Sequence, residues 1–314
     1  MERLIVVVGP TAVGKTKVSI DLARHLSTEI ISGDSMLVYR GMNIGTAKPN
    51  VSEKQGVVHH LIDIRDPQQE FSVVEFQKQA GDLIHHINSK GRIPILAGGT
   101  GLYVRALLED YQFHPATGSE ELRKKFTDLA EVHGSHYLHN LLQTVCPERA
   151  AQLHPNDLRR IIRALEVFHL AGQSVTETAA SLPGRLCYDA LVIGLTMNRS
   201  KLYEQINKRV DHMLADGLID EVKHLVSQGL SLNNQSMQGI GYKEVLLYLN
   251  GEIDSQTLAE RIKQATRNFA KRQLTWYRKM PYIHWVDCDI FPDYEERMAY
   301  IYSLVAGKFP CQVE

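Results

Sequence analysis

The sequence predicts an α/β fold in which helices flank a parallel sheet and an all-helical insertion interrupts the chain. An apolar, β-branched run at Leu4–Val8 leads into a glycine-rich loop and then into a helical pattern. Further short apolar runs alternate with helical patterns, which is typical of a parallel sheet. Between 115 and 185 the strand signals disappear and short amphipathic helices follow one another. We therefore expect a core domain of residues 1–114 and 186–314 and a helical insertion domain of residues 115–185.

The loop after the first strand matches the phosphate-binding pattern G-x-x-x-x-G-K-[ST]. Its residues are Gly9, Pro10, Thr11, Ala12, Val13, Gly14, Lys15 and Thr16. Backbone N–H groups of such a loop surround phosphate oxygens, and the following helix adds its positive dipole end. Lys15 supplies a point charge, and the Thr16 hydroxyl is a ligand for Mg²⁺. The strand before and the helix after disfavour an ordinary turn, so the sequence predicts a P-loop NTPase-like fold that binds a diphosphate or triphosphate.

The composition limits the partners and the compartment. The chain has 314 residues and a net charge of −1, so a nucleic-acid partner must be met by local basic patches. No apolar run approaches the ~20 residues that span a membrane, and no signal peptide precedes the first strand. The four cysteines form no C-x-x-C pair, which argues against a zinc site. We expect a cytoplasmic protein with no membrane partner.

The second predicted strand, 28–32, is followed directly by Asp34. Residues just past the carboxyl ends of the strands line the ligand crevice of a doubly wound sheet, which places Asp34 beside the phosphate-binding loop. Two interpretations stay open: a general base or magnesium ligand, or a carboxylate that closes an Asx turn or caps a helix. The glycine-punctuated stretch 41–49 is predicted to be an active-site loop, in which Lys48 either contacts phosphate or is solvated.

Two more strands and a long helix are predicted before the insertion. The strands are 59–64 and 93–97, and the helix begins at Ser72, which forms a capping box with the glutamate three residues later. The strand at 93–97 ends in glycines and Thr100. Many phosphate-loop hydrolases carry an Asp at this place to order magnesium. Its absence disfavours a motor ATPase.

One predicted helix of the insertion begins with an unusual concentration of positive charge. Arg159, Arg160 and Arg163 lie in its first two turns, where cations oppose the helix dipole. An external anion or an internal carboxylate must therefore favour them. Glu166 is the candidate internal partner.

The sheet resumes after the insertion, with strands predicted at 190–195 and 282–286. Arg209, on the helix after the first of these, either reaches the crevice or pairs with a neighbouring carboxylate. The segment 237–244 combines glycines with an aromatic residue, a lysine and an amide, groups that suit a base and its phosphate. A helix start with a surface lysine would look the same. The candidate contacts of this segment are Gln238, Gly241, Tyr242 and Lys243.

A strongly basic helix is predicted near the carboxyl terminus. Seven basic residues lie within 261–279, with no acidic residue before Asp287. Lys263, Arg267 and Lys271 are spaced by four and share one helix face. We expect binding to a phosphate backbone. The alternative is a solvated helix whose charges are covered by acidic residues from elsewhere.

Seven motifs together resemble, in order, those of the bacterial tRNA dimethylallyltransferase family. They are 9–16, 33–35, 45–49, 59–63, 98–103, 239–244 and 271–276. The resemblance implies transfer of a dimethylallyl group from dimethylallyl diphosphate to the exocyclic N6 amine of adenosine 37, immediately 3′ of the anticodon, in tRNAs that read codons beginning with U. It implies Mg²⁺ as the cofactor and tRNA as the partner, and we expect a monomer.

The resemblance also implies roles for single residues. Asp34 is the base for the amine, Lys15 and Thr16 with Mg²⁺ hold the diphosphate, and Arg209 is aimed at the diphosphate. Val13 stands where the family often has serine, but its side chain need not touch phosphate. Thr100 belongs to the catalytic group and to the tRNA contacts. The implied tRNA contacts are Asp34, Ser35, Met36, Leu37, Thr100, Arg123, Arg159, Arg160, Ile161, Ile162 and Arg163, to which the basic helix adds Lys271 and Arg272.

Two other functions fit part of these observations. A P-loop small-molecule kinase using ATP would share the loop and use Asp34 as its base, but it leaves the basic helix and the basic insertion unexplained. A non-catalytic, nucleotide-gated RNA-binding protein would tolerate the loss of Asp34. The sequence therefore predicts a tRNA prenyltransferase, with the kinase as the alternative.

Overall fold

The computed structural model describes residues 1–113, 118–171, 178–180 and 184–310. The chain forms two compact units. The core unit comprises Met1–Glu109 and Gly184–Glu314, and the helical unit comprises Asp110–Pro183. The predicted boundary between 114 and 115 lies outside the described residues.

Six parallel strands form the sheet of the core unit, in the order β3-β2-β4-β1-β7-β8. These strands are β1 (Arg3–Val8), β2 (Ile30–Ser32), β3 (His59–His60), β4 (Ile95–Ala97), β7 (Asp189–Thr196) and β8 (Ile283–Asp287). Two further strands, β5 (Tyr111–Phe113) and β6 (Thr178–Ala180), belong to the helical unit. β1 is central, and its Ile5 pairs with Ile95 on one side and Leu191 on the other. Each of the six predicted strands of the sheet is present.

Helices cover both faces of this sheet. The helices of the core unit are α1 (Lys15–His25), α2 (Val51–Lys54), α3 (Val73–Ser89), α4 (Gly101–Leu108), α9 (Arg199–Ala215), α10 (Leu218–Ser227), α11 (Tyr242–Leu249), α12 (Ser255–Tyr277) and α13 (Tyr294–Lys308). Those of the helical unit are α5 (Glu120–His133), α6 (Ser135–Val145), α7 (Pro147–Ala150) and α8 (Leu158–Ala171). Leu4, Val6 and Val8 of β1 enter one buried cluster, whereas Ile5 and Val7 enter another. A strand buried on both faces explains the continuous apolar run at the amino terminus.

Local sequence signals set several element boundaries. Ser72 Oγ accepts the backbone N–H of Glu75 (3.2 Å), and Glu75 Oε2 accepts that of Ser72 (2.9 Å), so the predicted capping box is confirmed. β3 is much shorter than the predicted strand 59–64. Leu61 and Asp63 have φ angles of 59° and 57°, and such left-handed residues end a strand.

The helical unit has its own apolar core, formed by Phe126, Leu138, Leu142 and Leu165. The expectation of an all-helical insertion is corrected by β5 and β6, which pair antiparallel. These strands have three residues each, too short to show a strand pattern in the sequence. No helix of the described residues is long and apolar enough to cross a membrane.

Candidate active site

The phosphate-binding loop joins β1 to α1, as its pattern predicts. Gly14 has a φ of 101° and caps α1 in the left-handed conformation, which glycine adopts without strain. A Cβ at Gly9 would lie 2.6 Å from the carbonyl oxygen of Leu195, so only glycine fits there. The loop therefore presents its backbone at the amino terminus of α1, where N–H groups and the helix dipole favour an anion.

Two cations converge beside this loop. Lys15 Nζ donates to the carbonyl oxygens of Gly9 (2.9 Å) and Pro10 (2.7 Å). Burial and, next, the charge of Arg209 lower the pKa of Lys15 to about 7, against the opposite effect of Asp34. Burial also lowers the pKa of Arg209, which Asp34 opposes. Neither cation forms an ion pair with a carboxylate of the described residues, so the site suits an external anion.

The Asp34 carboxylate lies just past β2 and uses one of its two oxygens for local structure. Oδ1 accepts the backbone N–H of Met36 (2.8 Å), which is the Asx turn considered from the sequence. The next residue, Ser35, donates its backbone N–H to Thr100 Oγ1 (3.0 Å). In the described part of the chain no donor contacts Asp34 Oδ2. The turn therefore fixes the carboxylate while leaving one oxygen available for chemistry.

One pocket collects these groups at the carboxyl ends of β1, β2 and β4. Lys15, Asp34 and Arg209 supply charged groups to it, and Thr16 is one of several hydroxyl-bearing residues that line it. Its apolar wall consists of Ile30, Leu37, Ala47, Pro49, Ile62, Ala97 and Phe269. A phosphate-binding end, a free carboxylate oxygen and an apolar wall in one pocket suit a ligand that carries a diphosphate on a short hydrocarbon.

Gln273 lines the pocket, and the sequence analysis did not single it out as a site residue. It lies on α12 and is 4% exposed. Its Oε1 accepts the backbone N–H of Thr11 (2.8 Å), and its Nε2 donates to the carbonyl oxygen of Gly99 (2.7 Å). The signal was available, because Gln273 falls on the inward helix face between buried Ala270 and Tyr277. A polar residue on an apolar face needs buried partners.

One carboxylate, that of Glu221, binds the backbone of the predicted active-site loop 41–49. Glu221 accepts the backbone N–H groups of Asn43 (2.9 Å) and Ile44 (2.8 Å) and the hydroxyl of Tyr242 (2.7 Å). Tyr242 is 1% exposed. Burial leaves Tyr242 and Gly241 almost no surface for the predicted contact with tRNA, which stays a prediction. Their neighbours Gln238 and Lys243 are exposed.

Lys48 belongs to the same loop and fits neither of its two interpretations. Its Nζ pairs with Asp63 Oδ1 (2.5 Å) and donates to the carbonyl oxygen of Tyr39 (2.6 Å). The lysine side chain is 5% exposed. The Lys48 side chain therefore stabilises the loop through buried contacts. It does not contact the phosphate-binding loop, and it is not solvated.

In the helical unit, three of the six predicted tRNA contacts pair with a carboxylate, one of them Arg160, whose Nη1 lies 3.5 Å from Asp157 Oδ2. Arg123 Nε and Arg163 Nη1 pair with the fully buried Glu166, at 2.9 and 2.7 Å. Of the two explanations considered for this positive charge, the structure therefore contains the internal carboxylate, Glu166. Ile161 is wholly buried in the core of this unit, which leaves its side chain no surface for the predicted tRNA contact, and that contact stays a prediction. The remaining residues of this segment are Arg159 and Arg160, both exposed, and the partly buried Ile162.

The basic helix α12 divides its charges between solvent and partners. Lys271 and Arg272 are exposed, as a phosphate-binding surface requires. Lys263, however, pairs with Asp211 (2.7 Å). The expectation that all seven charges are uncompensated is therefore corrected for Lys263.

Comparisons with known proteins agree with the site. A family model described as IPP transferase matches residues 37–280 of the chain. The chain belongs to the IPP transferase family. A tRNA dimethylallyltransferase of Symbiobacterium thermophilum is 50% identical, over 98% of this chain and 97% of the relative. Another, of Geobacillus thermodenitrificans, is 47% identical over 98% and 97%.

Solved structures of IPP transferase relatives share the fold. The tRNA isopentenylpyrophosphate transferase of Bacillus halodurans has a TM-score of 0.75 and 44% identity, covering 99% of this chain and 98% of its own. A eukaryotic dimethylallyltransferase, described as acting on tRNA, has a TM-score of 0.81 and 29% identity, covering 100% and 81%. The predicted fold and family are confirmed. This IPP transferase is a prenyl-group transferase, and the kinase alternative is not favoured.

Proposed function

We propose that this chain transfers the dimethylallyl group of dimethylallyl diphosphate to the N6 amine of adenosine 37, 3′ of the anticodon, in tRNAs that read codons beginning with U. The products are N6-dimethylallyladenosine and diphosphate. The observation that carries the proposal is the single pocket in which Asp34 faces the unpaired cations Lys15 and Arg209. We also propose that it acts as a cytoplasmic monomer.

The phosphate-binding loop holds the diphosphate in this scheme. Backbone N–H groups of the loop 9–16, except Pro10, which has none, and Thr11, whose N–H is bound by Gln273, donate hydrogen bonds to its oxygens at the amino terminus of α1. Lys15 leaves its contacts with Gly9 and Pro10 and binds the anion, joined by Arg209. Because both cations lack a carboxylate partner, they stabilise the charge that grows on the leaving diphosphate.

The residues of the pocket fit a magnesium ion whose ligands come mostly from the substrate. The Thr16 hydroxyl is exposed in the pocket and Asp34 lies in the same pocket. Among the described residues no group of three acidic, histidine or cysteine side chains forms a metal cage. Thr16 would hold the ion together with diphosphate oxygens and water, the ligand set magnesium commonly keeps. When bound, Mg²⁺ supplies further charge neutralisation to the leaving group.

Asp34 serves as the base for the amine. The nitrogen forms a bond to C1 of the dimethylallyl group while the C1–O bond breaks and its electron pair leaves with the diphosphate. The proton of the amine passes to Asp34 Oδ2, the oxygen that the Asx turn leaves free. A positioned base of this kind contributes roughly 10²–10⁴-fold. The apolar wall of the pocket excludes water from the allylic carbon.

The tRNA is bound by basic side chains that keep their charge at the surface. On the core unit these are Lys243, Lys271 and Arg272, and on the helical unit Arg159 and Arg160. Their contacts with phosphates offset the cost of unstacking the target base, which must leave its stack to enter the pocket. Ser35, Met36 and Leu37, which follow Asp34 in sequence, and Thr100, which accepts the backbone N–H of Ser35, complete the proposed contacts.

The test incubates the chain, Mg²⁺ and labelled dimethylallyl diphosphate with unmodified tRNA, and then repeats the assay with labelled ATP. We expect label in tRNA from the first donor only. Asp34→Asn is the sharpest variant, because its amide oxygen still accepts the N–H of Met36 and preserves the Asx turn. We expect it to lower the transfer rate by at least about 10²-fold with unchanged tRNA affinity.

Asp34→Ala, which removes base and turn together, should be no more active than Asp34→Asn. Equal losses of transfer and of tRNA binding in Asp34→Asn would contradict the role of base. Transfer of phosphate from ATP would return the kinase to consideration.

A further inference from the structure

The most informative contact outside the reacting groups is that of Gln273 with two active-site loops. Thr11 belongs to the phosphate-binding loop, and Gly99 to the loop that joins β4 to α4. The hydrogen bonds of Gln273 to them span 262 and 174 residues of sequence. One side chain of α12 thus fixes two loops that are remote from it and from each other along the chain.

The chemistry of these two bonds matches a side-chain amide. The N–H of Thr11 only donates and the carbonyl oxygen of Gly99 only accepts, so the orientation of the amide follows from its partners. Glutamate at this position would offer an acceptor to Thr11 but no donor to Gly99. Methionine would fill a similar volume and offer neither. Either change leaves at least one buried backbone group without its partner.

The loop at Gly99 carries the constraint onward to Asp34. Thr100, the next residue, accepts the backbone N–H of Ser35 (3.0 Å), beside Asp34 in sequence. A Cβ placed on Gly99 would lie 3.0 Å from Gln273 Nε2 and 3.2 Å from Asp34 Oδ2. The amide and the carboxylate therefore border the same point of the loop.

The opposite face of α12 is exposed to solvent and carries basic side chains. Lys271 and Arg272 immediately precede Gln273 and are exposed. One turn later, the hydroxyl of buried Tyr277 donates to the carbonyl oxygen of Gly98 (3.3 Å). The helix that presents basic side chains to solvent is thus hydrogen-bonded on its inner face to the active-site loops.

We propose that Gln273 is a positioning residue that sets the distance between the phosphate-binding loop and Asp34. In the reaction, this is the distance between the leaving diphosphate and the group that takes the proton of the amine. The inference rests on the proposed function and adds to it a residue that need touch neither substrate.

The test compares Gln273→Met and Gln273→Glu with Gln264→Met, which changes an exposed glutamine of the same helix. Single-turnover rate, KM for dimethylallyl diphosphate and Kd for tRNA are measured well below the Tm of each variant. Because misplacing reacting groups by 1 Å costs about 10²-fold, we expect a rate loss of that order in both Gln273 variants. The tRNA Kd stays at the wild-type value, and the control keeps the wild-type rate.

A merely structural glutamine would lower the Tm and leave the rate of the folded enzyme unchanged, and that result would overturn the proposal. A double-mutant cycle with Thr100→Val tests the route through the Gly99 loop. We expect the combined loss of rate to be smaller than the sum of the single losses, expressed as free energies. Additive losses would contradict the route. A wild-type chain that transfers no dimethylallyl group would instead refute the proposed function, and this inference with it.

Discussion

Lys15 and Arg209 in the core unit, and Arg123 and Arg163 in the helical unit, are two pairs of cations that differ in what they bind. The arginine pair converges on the buried carboxylate of Glu166, at 2.9 and 2.7 Å. The Lys15–Arg209 pair has no carboxylate partner in the described residues, and burial lowers the pKa of both members. The Arg123–Arg163 pair is neutralised within the fold, whereas the Lys15–Arg209 pair remains available to an external anion.

This difference teaches how to separate structural charge from functional charge. A cation that pairs with a buried carboxylate is needed for the stability of the fold, because breaking the ion pair leaves a buried charge uncompensated. A partly buried cation without a partner is costly until an anion arrives, so its persistence indicates a binding site. Four experiments would break or sharpen the comparison.

Glu166→Ala should have the largest effect. Removal of a buried carboxylate from its cations costs about 3–5 kcal/mol, with the low end expected here because Arg123 and Arg163 remain partly exposed. Circular dichroism in denaturant should show helical structure lost early. Tryptophan fluorescence should keep its midpoint, because both tryptophans lie in the core unit. Glu131→Ala, at an exposed position of the same unit, is the control and should shift neither transition.

Lys15→Met should produce the opposite pattern. The transfer rate and the affinity for inorganic diphosphate should fall by about 10²-fold or more, because a group aimed at the developing charge is lost. The free energy of unfolding at pH 6 should not fall, because the folded state disfavours the charged form of this lysine. Activity assays and denaturant titration measure the two effects. A large loss of stability with retained diphosphate binding would make Lys15 a structural cation like Arg123.

The pH dependence should separate the pairs next. The pKa of Lys15 lies at about 7 in the fold and near the ordinary 10.5 when unfolded, so the unfolded state binds more protons between these values. Stability should therefore gain from Lys15 as the pH rises through this window. Diphosphate affinity should fall there, approaching tenfold per pH unit. Lys15→Arg, whose charge does not titrate, is the control. Any change of its affinity with pH reports ionisation of the diphosphate and not of the side chain. Identical affinity profiles for both proteins would refute the linkage.

The surface cations should give the smallest effects. Arg159→Ala and Lys271→Ala each remove an exposed charge, so each should weaken tRNA binding and reduce the slope of log affinity against log salt by about one. Arg123→Ala should lower stability more than it lowers affinity, since Glu166 holds that side chain. Filter binding at several salt concentrations measures the slopes. Equal slopes for Arg123→Ala and Arg159→Ala would show that the ion pair does not withhold Arg123 from tRNA.

The sequence alone predicted the features that depend on neighbouring residues. The six strands of the sheet, the phosphate-binding loop and the capping box at Ser72 each follow from local patterns, and all are present. Asp34 was placed beside the loop by topology, and its Asx turn was one of the two alternatives considered. The structure contains that turn on Oδ1 and no donor to Oδ2 among the described residues, so the turn is compatible with the proposed role of base.

Features that depend on partners remote in sequence were missed. Tyr242 looked like a surface aromatic, but Glu221 binds its hydroxyl inside the core unit. Lys48 pairs with Asp63, which lies past the early end of β3 and is itself one of two left-handed residues there. Gln273 gave a usable signal as a polar residue on an inward face, whereas no local pattern names its partners. Pairings across such separations are set by tertiary packing, which a single sequence does not display.

The position of β1 at the centre of the sheet has a consequence for synthesis. Its neighbour β7 begins at Asp189, beyond the whole segment Asp110–Pro183. At ~5–20 residues per second, the ribosome takes roughly ten seconds or more to travel from β1 to β7. Throughout that interval the nascent chain carries an incomplete sheet with an unpaired apolar edge, which is a hazard for aggregation. Translation of the insertion is therefore the period in which a newborn molecule most needs a chaperone.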